Sequence, residues 1–465
     1  MRRALVLVIL ALLIASCSPS PNATSTPRPS PTGSPATLLT GAIGAANYRI
    51  EVPATWNGTL FLYSHGYVAS GRLNPATDSP AVSIAAWLLD RGYALAGSSY
   101  SSTGWALEDA FEDQIALLDL FDQRFSKPRR VIAWGGSLGG IITAGLVQLH
   151  PDRFAGALAL CGVLAGGIAS WNTGLDAAYA FKTLLAPTST LQLVRITDPV
   201  ANLQTAMDVF NAAAATAAGQ ARLALVAALS GLPGWFDTTA SEPGPTDYAG
   251  WVQAQMQWES RVDFPFEFSH RSELEHRAGG NPSWNVGVDY RHQLDISRYR
   301  AEVTALYRAA GLDLSADLSA LNSGTRIDSD KKAVAYLARN ISFDGRLRVP
   351  VLAMHTTGDG LVIPQNETAY ADIVNAAGKQ DMLRQVYVHR AGHCAFTAAE
   401  TIVAIQFVIN RVELGAWDDT ELAPAELNIR AAALGAAYNN VAGFLLAAPA
   451  FISYAAGSYP RPFPA

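Results

Sequence analysis

The sequence predicts an α/β fold: a mainly parallel sheet covered by helices on both faces, interrupted late by a large helical insertion. Short apolar, β-branched runs alternate with helical segments across residues 48–161 and again across 349–413, the pattern of strands joined by crossover helices. The runs are apolar nearly throughout rather than at every second position, as strands buried on both faces must be. Between residues 162 and 341 the alternation stops, and an Ala-rich and then aromatic-rich stretch replaces it. With 465 residues, half of them hydrophobic, the chain has ample material for a sizeable core and a second unit.

The elements follow in chain order. Arg2 and Arg3 precede an apolar run over 4–15, too short to span a bilayer and suited to a signal peptide. Ile14-Ala15-Ser16-Cys17 resembles a bacterial lipobox, which implies a signal over 1–17, acylation of Cys17, and tethering outside the cytoplasm to a bacterial membrane. Residues 18–37 hold six prolines among Ser, Thr and Gly, an extended linker with almost nothing to bury. Strands are expected over 48–52 and 59–64, joined by a turn at Trp56-Asn57-Gly58. A helix over 81–90, a strand over 93–98 and a helix over 104–124 come next. Strands over 131–134, 157–161 and 349–354 make the sheet centre, and 384–389 is the last strand. Thr397-Ala398-Ala399-Glu400 fits a capping box and opens a helix reaching about Glu413. The core domain is thus expected over 38–165 and 343–465, with a helical cap over 166–342.

Gly135-Gly136-Ser137-Leu138-Gly139 lies between the strand at 131–134 and a helical segment that runs to His150 and stops at Pro151. Strand, tight Gly turn, Ser and helix in that order form a nucleophile elbow, which needs small residues such as Gly135 and Gly139 around its strained serine. Asp359 falls in a loop after the strand at 349–354, where a carboxylate can accept from an imidazole N–H and fix its tautomer. His393 falls in a loop after the strand at 384–389, and an imidazole can move protons near neutral pH. His65-Gly66-Tyr67 ends the strand at 59–64.

Ser137, Asp359 and His393 in that order, each just past a strand, with His65-Gly66 past another, resemble the α/β-hydrolase superfamily of serine esterases, lipases and serine peptidases. By element order, the likeness covers roughly residues 45–165 and 345–415. It implies Ser137 as nucleophile, His393 as base and Asp359 as its orienting acid. The N–H groups of Leu138 and Tyr67 would form the oxyanion hole, with Gly66 letting the backbone approach. A serine at 137 separates the chain from haloalkane dehalogenases and epoxide hydrolases, which carry Asp there. His65-Gly66-Tyr67-Val68 departs from the His-Gly-Gly-Gly loop of hormone-sensitive-lipase-like esterases.

The cap would roof Ser137 and shape its pocket. Its aromatics Trp235, Phe236, Tyr248, Trp251, Trp258, Phe264, Phe266, Phe268 and Trp284 supply mostly cap core, with some facing the site. The resulting expectation is a serine hydrolase of small-molecule carboxylic esters, working through an acyl-enzyme. The runner-up is an aminopeptidase of the proline-iminopeptidase-like group, which needs a cap carboxylate for the substrate amine; Glu259, Glu267, Glu273 and Glu275 are available. A third reading is a non-catalytic binding protein on the same scaffold. A net charge of −6 offers no basic surface for nucleic acid. His270 with His276, and His65 with His355, do not have metal-ligand spacing, so neither metal nor cofactor is expected. With Cys17 acylated, Cys161 and Cys394 are the two remaining cysteines, and both belong on the rim near Ser137. They form either a disulfide, which would pin the His393 loop, or two separate buried thiols.

Overall fold

A computed structural model of the chain describes residues 37–463. The signal-like segment, Cys17 and the linker up to residue 36 lie outside the described residues. The strands β1 (Thr37–Ile43), β2 (Ala46–Val52), β3 (Thr59–Ser64), β4 (Ala94–Ser98), β5 (Arg130–Gly136), β6 (Gly156–Leu160), β7 (Val351–Gly358) and β8 (Leu383–Ala391) form one sheet in the order β1-β2-β4-β3-β5-β6-β7-β8, closed at the far edge by the short strand Phe451–Ile452. The strands from β4 to β8 in that order are mutually parallel. The pairs β1·β2, β2·β4 and Phe451–Ile452·β8 are antiparallel. This is the order and polarity of the α/β-hydrolase fold.

Period-two alternation sorts each central strand's side chains between two layers. In β3, Leu60 and Leu62 pack on the face that carries the helices α2 (Leu107–Arg124) and α3 (Leu138–Leu149). Phe61 and Tyr63 pack on the face covered by α1 (Val82–Asp90) and the long helix Ala398–Leu414. That last helix starts with the expected capping box: Thr397 Oγ1 accepts from the Glu400 N–H, and the Glu400 carboxylate accepts from the Thr397 N–H.

Residues 167–340 contain no sheet strand and consist of α4 (Gly167–Leu185), α5 (Pro199–Ala214), α6 (Ala217–Ser230), α7 (Tyr248–Trp258), α8 (Arg271–Ala278), α9 (Tyr290–Ile296), α10 (Arg300–Ala310), α11 (Leu314–Ser323) and α12 (Lys331–Asn340) with their connections. They enclose a hydrophobic cluster of their own, with Phe181, Leu225, Phe268 and Tyr307 at its centre. Among the described residues no helix is long and apolar enough to cross a membrane.

The strands β2 and β3 are joined by the expected turn, with β4 lying between them in the sheet. Two expectations need correction. The strand β1 begins at Thr37, the residue assigned to the end of the linker. The strand at 384–389 is not the last, since Phe451–Ile452 pairs with Tyr387 and Val388. At the chain's end, Arg461 forms an ion pair with Asp176 in α4 at 2.8 Å, and Phe463 packs against Trp284.

Candidate active site

The turn between β5 and α3 holds Ser137 at φ 61° and ψ −124°. A side chain in that region of backbone space costs roughly 1–3 kcal/mol and persists only where the surroundings enforce it. Here they do. The Ser137 N–H donates to the Leu160 carbonyl at 2.9 Å, and the turn sits directly on the end of β3. A Cβ on Gly139 would lie 1.9 Å from the Ser64 carbonyl oxygen, and one on Gly135 would lie 2.3 Å from it. The glycines around Ser137 therefore let two backbones touch.

The loop after β3 lies alongside. His65 stacks on Tyr100 and is held between the Gly66 and Ser99 carbonyls at 2.7 and 3.1 Å. A Cβ on Gly66 would lie 3.4 Å from the Ser137 Cβ. Leu138 opens helix α3, so its N–H has no intrahelical acceptor. Neither that N–H nor that of Tyr67 donates to another group among the described residues.

Asp359 follows the end of β7 and His393 follows β8. The two strand ends are tied by the Gly392 N–H donating to the Gly358 carbonyl at 3.0 Å and by Thr356 Oγ1 donating to the Gly392 carbonyl at 2.7 Å. Across this clamp, His393 Nδ1 meets Asp359 Oδ2 at 2.7 Å. Asp359 Oδ1 accepts from the Leu361 and Val362 N–H groups, each at 3.0 Å. Burial opposes the charge on Asp359, but His393 and His355 outweigh it and hold the carboxyl below its usual range.

His393 Nε2 lies 3.5 Å from Cys394 Sγ, and that sulfur lies 3.5 Å from where a Cβ on Gly136 would be. The Cys394 sulfur thus lies between the imidazole and the residue preceding Ser137. No hydrogen bond joins His393 to Ser137 Oγ in this conformation, a contact that commonly tightens only with substrate bound. Cys161 and Cys394 form a disulfide with Cα atoms 5.5 Å apart, linking the loop after β6 to the His393 loop. Both cysteines have positive φ, 42° and 51°.

Two participants escaped the sequence reading. His355, fully buried in β7, contacts Glu367 Oε1 through Nδ1 at 2.9 Å and the Val362 carbonyl through Nε2 at 2.7 Å, with Asp359 Oδ2 3.6 Å from Nε2. Burial opposes protonation, but Asp359 and Glu367 prevail and raise His355 to about 10. A titratable residue inside an otherwise apolar strand was the available signal; its partner, twelve residues on, carried none.

Ser137, Leu138 and Tyr67 border a cavity of about 130 Å³ whose roof includes Trp171, Phe264, Phe266 and Phe268. Trp235, Phe236, Tyr248, Trp251, Trp258 and Trp284 do not line it. Trp258 instead packs on Gly360, where a Cβ would lie 2.3 Å from its ring. Of the four carboxylates singled out in the cap, Glu259 and Glu267 reach the cavity, as does Asp263. Glu273 instead accepts from the Trp105 N–H and pairs with Arg277, and Glu275 borders a separate surface depression. Among the described residues the one grouping of possible metal ligands is Cys161, His393 and Cys394, whose sulfurs are joined in the disulfide.

Residues 84–177, which include Ser137, match the model of the prolyl oligopeptidase family. The chain is 28% identical over 414 residues to an o-phthalyl amidase of Xanthobacter agilis, a match spanning 82% of this chain and 88% of that protein. Among solved structures it is similar to an esterase from Aspergillus oryzae, with a TM-score of 0.39 and 14% identity over 82% of this chain and 80% of that one. It is also similar to feruloyl esterase B of the same organism, with a TM-score of 0.40 and 11% identity over 83% and 82% of the two chains.

Proposed function

We propose that this chain, a serine hydrolase of the α/β-hydrolase superfamily, cleaves carboxylic esters of small molecules through Ser137, His393 and Asp359. The observation that carries this reading is the strained Ser137 at the cavity wall beside the fixed Asp359–His393 pair. Ser137 Oγ attacks the acyl carbon while His393 Nε2 takes its proton. Asp359, anchored by two backbone N–H groups, keeps Nδ1 protonated and stabilises the imidazolium. The oxyanion that forms points at the Leu138 and Tyr67 N–H groups, each worth about 3–4 kcal/mol of barrier. His393 then protonates the departing alcohol, and the acyl-enzyme is hydrolysed by a water that gives its proton to the same nitrogen.

A second reading, in which the bond broken is an amide, is favoured by the sequence likeness to an amidase. The aminopeptidase form of it draws on Glu259 and Glu267 lying in the cavity. Rates on p-nitrophenyl esters, o-phthalyl amides and aminoacyl-anilides decide between them. Turnover of the esters alone supports the first reading, and turnover of amides with inert esters replaces it. A folded protein inert to all three, with an unreactive Ser137, leaves a binding protein on this scaffold.

The reading extends to location. Arg2 and Arg3, the apolar run after them, Cys17 and the Pro-rich spacer support export and lipid tethering to a bacterial membrane. Partition into detergent that is lost in Cys17→Ser is the expected result, and equal partition of both forms would remove the tether.

A further inference from the structure

Behind the Asp359–His393 pair stands a second histidine that the ester-cleaving steps do not use. His355 is fully buried in β7. Its Nε2 meets the Val362 carbonyl at 2.7 Å, and its Nδ1 meets Glu367 Oε1 at 2.9 Å. Glu367 lies in the first turn of helix α13 (Gln365–Ala376), and its Oε2 accepts from Gln385 Nε2 of β8 at 2.8 Å. Asp359 Oδ2, the oxygen that faces His393 Nδ1, is 3.6 Å from His355 Nε2. One carboxylate oxygen thus lies between two imidazoles.

The partners fix the charge of this ring. A neutral imidazole has one N–H and one lone pair. The Val362 carbonyl can only accept, so Nε2 carries a proton. At Nδ1 the partner is a carboxyl in the first turn of a helix, where negative charge is stabilised, and its other oxygen already takes a donor. Glu367 is therefore the acceptor there, Nδ1 carries the second proton, and His355 is an imidazolium between two carboxylates. Burial opposes its charge, but the hydrogen bonds and charges of Asp359 and Glu367 outweigh burial and raise His355 to about 10. Asp263 of the cap faces the same trio, its charge opposing that of Asp359. Tyr370 and Tyr387 lie beside Glu367, and burial pushes both phenols up. His389 of β8 is turned to Thr357 and Glu242.

We propose that His355 is a positioning residue for the hydrolysis: as a buried cation it anchors the Asp359 loop and limits how tightly Asp359 holds the proton of His393. The anchoring is two-sided. Val362 donates its N–H to Asp359 Oδ1 at 3.0 Å and accepts at its carbonyl from His355, so the turn that presents the carboxylate is tied at both ends. The electrostatic part follows from the shared oxygen. Asp359 alone would stabilise a protonated His393 strongly and keep the base unavailable until higher pH. The charge behind it offsets part of that hold, so His393 is free to take the Ser137 proton at a lower pH. The assignment rests on the hydrolase reading for the reaction, and on the ring's own contacts for its charge.

Nitrogen NMR of the full protein, isotopically labelled at histidine, reads the charge without turnover. His355, assigned through its contacts with Val362 and Glu367 protons, is expected to show two ring N–H groups at about pH 8, where an ordinary histidine is neutral. A single N–H there would overturn the proposal, and this wild-type result stands whether or not any variant folds. The second readout is the pH dependence of the rate at which a fluorophosphonate labels Ser137, which reports His393 as the base. In His355→Gln and His355→Leu the acid limb of that rate should move up by about one pH unit. The direction is the same whether Glu367 keeps its charge or takes a proton. A limb that stays in place in both folded variants, even with a lower plateau, would leave His355 a structural residue and overturn the proposal. Failure of Ser137 to take any label removes the hydrolase reading. A labelled Ser137 with a neutral His355 or an unmoved limb removes this role alone.

Discussion

Replacing Asp359 by Asn changes one atom and reverses one hydrogen bond. Asp359 Oδ1 accepts from the Leu361 and Val362 N–H groups at 3.0 Å, while Oδ2 faces His393 Nδ1 at 2.7 Å. The new amide has two orientations. With its oxygen kept on the two N–H donors, its NH2 faces His393 Nδ1 and donates to it. The imidazole then carries its proton on Nε2 and cannot take one from Ser137. With the amide flipped, its NH2 opposes two backbone donors, each left unsatisfied at about 1–3 kcal/mol. The first orientation is therefore the stable one. The expected loss is about 10⁴-fold in kcat, roughly 5.5 kcal/mol of barrier. The assay is kcat/KM on p-nitrophenyl acetate, with a melting curve to show that the fold persists. A folded Asp359→Asn protein within tenfold of the wild type would refute the assignment of the acid and the tautomer argument with it.

Three other expectations concern stability. The disulfide closes a separation of 233 residues, for which the chain-entropy model gives about 5 kcal/mol. Release of the left-handed backbone at Cys161 and Cys394 offsets part of that, so the double Cys→Ser variant should lose about 2–4 kcal/mol in denaturant titration; an unchanged midpoint, or two free thiols in the unreduced wild type, would contradict this. Gly139→Ala puts a Cβ 1.9 Å from the Ser64 carbonyl oxygen, backbone against backbone, and should cost about 3 kcal/mol or more; an unaltered melting temperature would mean the elbow can move off β3. Burial raises Glu302 from 4.5 to about 8, so across that window the folded state holds a proton that the unfolded chain releases, and stability falls as pH rises. Glu302→Gln lacks this term, and its stability relative to the wild type should grow between pH 5 and 8.5; a constant difference would show that Glu302 does not titrate there.

The elements that sequence revealed are those whose own side chains record their burial. The strand β5 and the turn after it are legible because Val131, Ile132 and Trp134 are buried and Gly135 and Gly139 must be small. The strand β1 was missed because its apolar residues Leu38, Leu39, Ala42 and Ile43 neither alternate nor form an unbroken run, and most of the strand is exposed at the sheet edge. Phe451–Ile452 is a strand only through its pairing with Tyr387 and Val388, a contact no local pattern encodes. Chain order placed Cys161 and Cys394 on one rim, but the direction of each Cβ depends on a positive φ that the sequence does not announce. Of the cap carboxyls that line the cavity, Glu259 and Glu267 were named from the sequence, but Asp263 was not, since an acid on a buried helix face contradicts the polarity rule by which helices are read.

The most direct test of the central claim is covalent labelling of Ser137. Incubation of the folded protein with a fluorophosphonate, followed by digestion and mass spectrometry, should give one adduct on the peptide containing Ser137. The adduct should disappear in Ser137→Ala and fall sharply in His393→Ala, because the hydroxyl is reactive only with a base to take its proton. A folded protein with Cys161 and Cys394 bridged that takes up no label, or takes it on a different serine, would contradict the account.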